Sequence, residues 1–330
     1  MAVVEKSSAN KPSVKNLPRN IWAVGFTSMF MDISSEMVMN ILPLFLSNVL
    51  GVQTSIIGLI DGIAEATASI LKLFSGWLSD RLGGRKWLAV AGYGLSALVK
   101  PFFYIANSWG LVAGVRWADR VGKGIRTAPR DALVADSVTP EVRGLAFGFH
   151  RAMDTAGAFI GILIAALVVW LTQKSDVLLA RSTFQIIVLA SLLPALLAVL
   201  SLVVGAQDVA VQGQRAAPKF SLRNMGKPFT IFMVIVSLFT LGNSADAFLV
   251  LRAQNLGVSV LGILIMLAAF NLIYTLVSTP AGSLSDRIGR RRLIIGGWLV
   301  YAVIYFGFAL ARSSWQVWVL YALYGVYYGL

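Results

Sequence analysis

Gly76-Trp77-Leu78-Ser79-Asp80-Arg81-Leu82-Gly83-Gly84-Arg85-Lys86 returns later in the chain as Gly282-Ser283-Leu284-Ser285-Asp286-Arg287-Ile288-Gly289-Arg290-Arg291-Arg292. The register is ungapped: Gly76 meets Gly282, Asp80 meets Asp286, Arg81 meets Arg287, Gly83 meets Gly289 and Arg85 meets Arg291. At the same offset, Leu50-Gly51-Val52 recurs as Leu256-Gly257-Val258. Two separated matches in one register mark the chain as built from duplicated units. Each basic stretch joins two long apolar runs, and those runs decide the fold class.

A membrane-spanning helix needs about 20 mainly apolar residues. Runs of that kind lie at 21–49, 55–79, 87–106, 109–134, 144–171, 183–205, 229–251, 259–284, 292–311 and 314–330. They predict an all-α membrane protein with nine complete spans and a tenth that reaches the last residue. Composition agrees. Hydrophobic residues make up 57% of 330 positions and charged ones 13%, against about 25% charged in soluble domains. The mean hydropathy is +0.76. The formal net charge of +13 does not imply nucleic-acid binding, because the Lys and Arg lie mainly between apolar runs, as in cytoplasmic loops. The lack of Cys excludes disulfides and thiolate metal sites, and the lone His150 excludes a His-rich one. No metal and no cofactor is expected. With no H-E-x-x-H pattern and no Cys nucleophile, no catalytic constellation is visible and an enzyme is not expected.

The connectors set the topology. The polar tail 1–20 carries Lys6, Lys11, Lys15 and Arg19 and contains no apolar signal region. Even-numbered connectors are basic: Arg81, Arg85 and Lys86; Arg143; Arg215, Lys219, Arg223 and Lys227; Arg287 to Arg292. Odd ones, near Gly51, Asn107, Asn255 and Arg312, are nearly uncharged, although the fifth carries Lys174 and Arg181. The positive-inside rule then puts the N-terminus in the cytoplasm. Trp109, Trp170 and Trp315 fall at the predicted outer boundary, and Trp22 and Trp87 at the inner one, as an aromatic belt would. The longest polar connector divides the chain into a cytoplasmic tail (1–20), a six-helix half (21–205), a central cytoplasmic loop (206–228) and a second half (229–330) that is two spans short. A truncated chain is the expectation.

The stretch from Gly76 to Lys86 resembles the G-x-x-x-D-R-x-G-R-R loop signature of the major facilitator superfamily, and Gly282 to Arg292 its weaker second copy. Asp32-Ile33-Ser34-Ser35-Glu36-Met37 and Gly122 to Asp131 resemble a group of bacterial facilitator permeases. The resemblance implies two pseudo-symmetric six-helix halves, the second incomplete here, and a multi-pass protein of the bacterial inner membrane. It implies a gating role for Gly76, Asp80, Arg81, Gly83 and Arg85, and for Gly282, Asp286, Arg287, Gly289 and Arg291. Arg116 falls where the family often has a fourth-span arginine linked to proton coupling. Gly157-Ala158-Phe159-Ile160-Gly161-Ile162 lacks the Pro of the exporters' fifth-span element, which leaves symport, antiport and uniport open. The family also places spans one, two, four and five of each half around a central cavity.

The charges follow that scheme. Span one carries Asp32 and Glu36, span two Asp61, Glu65 and Lys72, span five His150, Arg151 and Asp154. Span four carries Arg116, Asp119, Arg120, Lys123, Arg126, Arg130 and Asp131; span three has only Lys100 and span six none. Charges at bilayer depth cost about 2.5–3.5 kcal/mol each and persist where they face a cavity or a partner. At about 100° per residue the span-four charges occupy roughly 140° of its surface. Asp32 and Glu36 share a helix face, as do Asp61 and Glu65. At about 1.5 Å per residue, Asp32, Glu65, Arg120 and Asp154 lie near mid-membrane. Substrate and coupling-ion sites of such transporters lie there. One or more of Asp32, Glu36, Asp61, Glu65 and Asp154 is expected to exchange a proton, and the basic face of span four (Arg116, Asp119, Arg120, Lys123, Arg126) to attract an anionic group. The alternative is that these charges only pair and hold spans together. In the second half, Asn243, Asp246, Asn271 and Tyr274 are candidate hydrogen-bonding groups, and Asn271 occupies the repeat position of Glu65. Gly157 and Gly161 are expected at helix contacts.

The functional expectation is a proton-coupled secondary transporter of a small solute, monomeric in the bilayer. Efflux of a drug-like or metabolic compound competes with uptake or exchange of a small organic anion, and both with a receptor or assembly protein that keeps a transporter fold.

Overall fold

A computed structural model describes residues 13–174, 176–209 and 226–329, without the side chains at 279, 282–288 and 290. Among the described residues there are helices and no strand. The helices are α1 (Arg19–Val49), α2 (Thr54–Leu82), α3 (Lys86–Val99), α4 (Trp109–Asp136), α5 (Arg143–Thr172), α6 (Arg181–Gly205), α7 in two pieces (Gly226–Leu241 and Asp246–Asn255), α8 (Val260–Ile288), α9 (Arg290–Leu310) and α10 (Ser314–Gly329). Most of the tail 1–20 and of the 206–228 loop lies outside the described residues.

Glycines end or bound these helices at repeat-equivalent positions. Gly51 (φ 65°) and Gly257 (φ 83°) share one register, and Gly83 (φ 67°) and Gly289 (φ 88°) the other. All four take positive φ, which a side chain resists and glycine does not. Gly83 caps α2, its N–H bonded to the Ser79 carbonyl at 3.2 Å.

The duplication extends to two helix breaks. In α1 the regular helix runs Arg19–Met39, is interrupted at Asn40 and Ile41, and resumes as Leu42–Leu44 and a wide turn over Phe45–Val49. Pro43 has no N–H to continue the ladder, and the Asn40 amide donates to the Glu36 carbonyl at 2.8 Å and carboxylate at 2.9 Å. In α7 the break spans Leu241 to Asp246, where Gly242, Asn243 and Ser244 are poor helix formers. Asn40 and Asp246 are repeat equivalents, each at the edge of its break.

Six of these segments are long and apolar enough to cross a membrane: α1, α5, α6, α7, and parts of α8 and α9. The ten runs read from sequence all fold as helices, but α3 has 14 residues and α10 has 16, and α4 is dense in charge. Along α6, Leu189, Leu193, Leu196, Leu200 and Val204 form one exposed stripe. The other face buries Phe184, Ile187, Val188, Ala195, Ala198 and Leu202. Apolar stripes of that size suit lipid rather than water.

Packing places the site. α1 lies against α5 and α6, α4 against α2 and α3, and α8 against α5 and α10. The α1–α5 approach is close at two glycines. A methyl added at Gly157 would strike the backbone of Met29, and one at Gly161 would lie 2.5 Å from the Ile33 carbonyl oxygen. Small residues permit this contact between backbones.

Candidate functional site

α1, α2 and α4 meet α7, α8 and α10 around a cavity of about 440 Å³. Glu36 comes from α1, Asp61 and Glu65 from α2, and Arg116, Arg120 and Lys123 from α4. Asp246 and Asn271 come from α7 and α8, with Tyr321, Tyr324 and Tyr328 from α10. Eight residues singled out in the sequence thus share one cavity, and they come from both repeats.

The α4 face meets the α2 face one turn at a time. Arg116 Nη2 lies 3.1 Å from Asp61 Oδ1 and 3.4 Å from Glu65 Oε1. Arg120 Nη1 reaches the same Glu65 oxygen at 3.4 Å, and its Nε lies 3.7 Å from Asp119. Both arginines and Asp119 are buried, whereas the Glu65 side chain is 54% exposed. The reason is helical: Arg116 and Arg120 are four apart on one face, as are Asp61 and Glu65 on the other. The Lys123 side chain is exposed on the cavity wall, with no carboxylate within 4.0 Å among the described residues.

Asp119, Arg126, Asp154 and Asp32 lie off the cavity wall. Asp119 is buried behind Arg120, and its Oδ1 has no hydrogen-bond partner. Arg126 turns away, donating to the Ser96 hydroxyl at 2.7 Å and stacking over Tyr93 with Cζ 4.5 Å from the ring centre. Asp154 faces His150 Nδ1 at 3.7 Å. Asp32 makes no hydrogen bond or ion pair among the described residues. The mid-membrane set is therefore a Glu65–Arg120 pair, with Asp154 engaged elsewhere.

On the other wall, Asp246 accepts hydrogen bonds from Tyr324 (2.7 Å) and Tyr328 (3.5 Å). Asn271 donates to its own helix at the Leu267 carbonyl, 3.0 Å away. Asn243 lies off the cavity, accepting from Tyr301. Tyr274 accepts from Arg151 Nη2 at 2.6 Å, joining α5 to α8.

The α2–α3 loop is tied down by charge. Arg85 is buried and pairs with Asp80, donates to the Ser79 hydroxyl at 2.9 Å, and lies 3.3 Å from Asp136 at the end of α4. Arg81 stacks on Trp77 with Cζ 5.5 Å from the ring centre. Asp208, just past α6, accepts from the backbone N–H of Arg85 (2.8 Å) and Lys86 (2.7 Å). These donors open α3 and have no partner within the helix. Side chains of Gly282 to Arg287 in the second copy lie outside the described residues. Gly289 takes positive φ there and Arg291 is exposed.

The opposite end of the bundle is closed by amides. Asn48 and Gln254 exchange two hydrogen bonds, at 2.9 and 2.8 Å. Asn48 also accepts from the Leu179 N–H (2.9 Å), and Gln254 donates to the Val177 carbonyl (2.6 Å).

Several groups at the cavity and at the two ends of the bundle carry little or no signal in the sequence. Tyr321, Tyr324 and Tyr328 are the exception, standing at helical spacing on one face. Lys100 is fully buried, with Nζ on the Ser34 and Ser35 hydroxyls and no carboxylate within 4.0 Å among the described residues. Asn48, Gln254, Asp136 and Asp208 carry no local signal, because their partners are distant in sequence.

Comparison with known proteins is consistent with this architecture. The chain is 35% identical over 327 residues to an uncharacterized MFS-type transporter of Methanocaldococcus jannaschii, covering 97% of this chain and 80% of that one. It is 25% identical to the multi-drug resistance efflux pump PmrA of Streptococcus pneumoniae, over 96% of this chain and 78% of the pump. A bacterial homologue of the human lysosomal transporter Spinster, solved in an inward-facing and occupied conformation, shares the fold with a TM-score of 0.72. Identity to it is 16%, over 94% of this chain and 71% of that chain. The family is one of transporters rather than enzymes. The family model of the Major Facilitator Superfamily matches residues 24–330, and the chain belongs to that superfamily.

Proposed function

We propose that this transporter moves a small solute by alternating access, driven by protons, with the cavity between α1, α2, α4 and α7, α8, α10 as its solute site. The observation that carries the reading is the carboxylate of Glu65, shared by Arg116 and Arg120 on the cavity wall. A proton on Glu65 removes the one carboxylate that both guanidinium groups share, leaving Arg116 with Asp61 and Arg120 with Asp119. Arg120, left with Asp119 at 3.7 Å alone, is then the freer of the two to engage solute. Charge movement on a helix face at bilayer depth is costly unless compensated, so the proton and the position of α4 against α2 change together. Asp32, Glu36, Asp61, Asp119, Arg126 and Asp154 supply the surrounding field.

In this reading 21–205 is a six-helix half and 229–330 belongs to its pseudo-symmetric partner, the two joined by a cytoplasmic loop at 206–228, with the N-terminus inside. The protein works as a monomer in the bacterial inner membrane. The Arg85 cluster latches the cytoplasmic side, and the Asn48–Gln254 pair closes the outer one. Efflux is the favoured direction, supported by the relationship to multidrug efflux pumps. Uptake or exchange of an organic anion is the second reading, favoured by the unpaired Lys123 on the cavity wall.

The test is transport of a dye such as ethidium in proteoliposomes. A pH gradient of one unit coupled to one proton sustains a concentration ratio of about tenfold, since a factor of ten is about 1.4 kcal/mol. Glu65→Gln should abolish that accumulation and retain counterflow without a gradient. Full accumulation by Glu65→Gln would exclude Glu65 as the proton carrier.

A further inference from the structure

Among the described residues three charged groups on the cavity wall lack a counter-ion: Glu36, which is held by Asn40 of its own helix, and Lys123 and Asp246, which face the cavity from different repeats. Lys123, on α4, has no carboxylate within 4.0 Å among the described residues. Asp246, at the α7 break, has no cation within that distance among them and is held only by Tyr324 and Tyr328. The acids of α2 are different: Asp61 and Glu65 are each paired with arginine. A charge pair formed within the protein would satisfy both, yet Lys123 and Asp246 do not meet.

The surroundings of Asp246 suit an amine. Tyr324, Tyr328 and Phe270 pack edge to face beside it, with Tyr324 and Tyr328 ring centres 5.0 Å apart at 77°, and Phe270 and Tyr328 5.3 Å apart at 76°. Rings and a carboxylate together attract ammonium groups, the rings through their negative faces. A second observation points to a ligand. Tyr321 is 2% exposed and lines the same cavity, and its hydroxyl has no hydrogen-bond partner among the described residues. A buried hydroxyl left unpaired is costly and uncommon. Asp246 also opens the second piece of α7, where the helix dipole offers about half a positive charge and leaves the carboxylate only partly compensated. The Lys123 side is the reverse. Arg120 Nε has no hydrogen-bond partner, and Lys123 adds three free donors.

We infer that the solute is a zwitterion, bound with its ammonium at Asp246 within the tyrosine cage and its acidic group at Lys123 and Arg120. This rests on the cavity being the solute site, as proposed above, and narrows its substrate class. A solute held in this way bridges the two repeats. Neither pole alone does so, and single-charge analogues keep one contact and confront the like charge opposite.

A matched set tests this: phenylalanine, phenethylamine and 3-phenylpropionate, with binding followed by tryptophan fluorescence of the detergent-purified chain at pH 7. Phenylalanine should bind at least about tenfold tighter than either analogue, because it forms one more charge-assisted hydrogen bond than each of them. Asp246→Asn should lose phenylalanine and phenethylamine binding by about tenfold or more and leave 3-phenylpropionate binding no weaker, since the like charge opposite it is gone. Lys123→Gln should do the opposite for the two analogues. Asp246→Glu and Lys123→Arg should restore the preference. A merely structural role of Asp246 would instead weaken all three probes together. Equal binding of the three by the unmodified chain would overturn the inference. So would loss of the ammonium contact in Glu36→Gln rather than Asp246→Asn, Glu36 being the other cavity acid without a cation. Binding is read without a proton gradient. Selective binding with no proton-driven transport therefore supports the zwitterion site and counts only against proton coupling.

Discussion

The shared carboxylate of Glu65 can be weighed by a double-mutant cycle with Arg120. At 3.4 Å and an effective dielectric of about 20, each Glu65–arginine contact has a gross attraction of about 5 kcal/mol. Most of that is offset by lost hydration. Breaking a fully buried pair costs about 3–5 kcal/mol, and an exposed pair returns about 0.2–1 kcal/mol. Glu65 is 54% exposed and Arg120 9%, so the pair falls between, at about 1–2 kcal/mol of coupling. Arg116 keeps Asp61 at 3.1 Å when Glu65 is neutralised, whereas Arg120 is left with Asp119 at 3.7 Å. Glu65→Gln, Arg120→Gln and the double variant, unfolded by denaturant titration in detergent, should therefore show non-additive losses, the double variant recovering about 1–2 kcal/mol. A parallel cycle of Glu65 with Arg126, which is turned toward Ser96 and Tyr93, should be additive within about 0.5 kcal/mol. Additivity in the Arg120 cycle would refute the pairing and, with it, the argument that one proton on Glu65 loosens the α2–α4 contact.

Gly161→Ala should destabilise the protein by about 1–3 kcal/mol, because its methyl meets the Ile33 backbone, which cannot rotate away as a side chain would. Gly148→Ala, in open space on the same helix, should be neutral or stabilising by up to about 1 kcal/mol; equal thermal midpoints for the two variants would contradict the α1–α5 packing. Asp208→Ala removes the acceptor for two N–H groups at the start of α3 and should cost about 1 kcal/mol. It should also speed protease cleavage of the α2–α3 loop; unchanged cleavage would mean that the cap does not hold the loop. Asn48→Leu strands the Gln254 amide and the Leu179 N–H and should cost about 1–3 kcal/mol in denaturant titration. A smaller loss would indicate that water replaces these bonds readily.

The helices and the duplication were legible because both are local properties. A run of apolar residues must satisfy its backbone internally in lipid, and this requirement does not depend on which helix lies alongside. The repeat was legible because glycine at Gly51, Gly83, Gly257 and Gly289 answers to a backbone angle, not to a distant partner. The charged face of α4 follows from spacing alone. So does the facing pair Asp61 and Glu65, although which arginine each would meet does not.

Tertiary structure decided those pairings. Depth along a helix axis places Asp32, Glu65, Arg120 and Asp154 at one level, but rotation about each axis determines what they touch. Asp154 meets His150, Arg126 meets Ser96, and Glu65 meets Arg116 and Arg120. The same holds for groups that the sequence named without a partner. Lys100 is a lone charge in an apolar helix until α1 brings Ser34 and Ser35 to it. Asp246 is one acid at a helix break until α10 surrounds it with Tyr324 and Tyr328. The sequence by itself determined that this is a duplicated, helical membrane transporter of the facilitator family with charge concentrated in α1, α2, α4 and α5. Only the packing of α4 on α2 and of α10 beside α7 decided which charges are paired and which still face the cavity, because pairing depends on helix rotation and contacts between distant segments that local spacing does not encode.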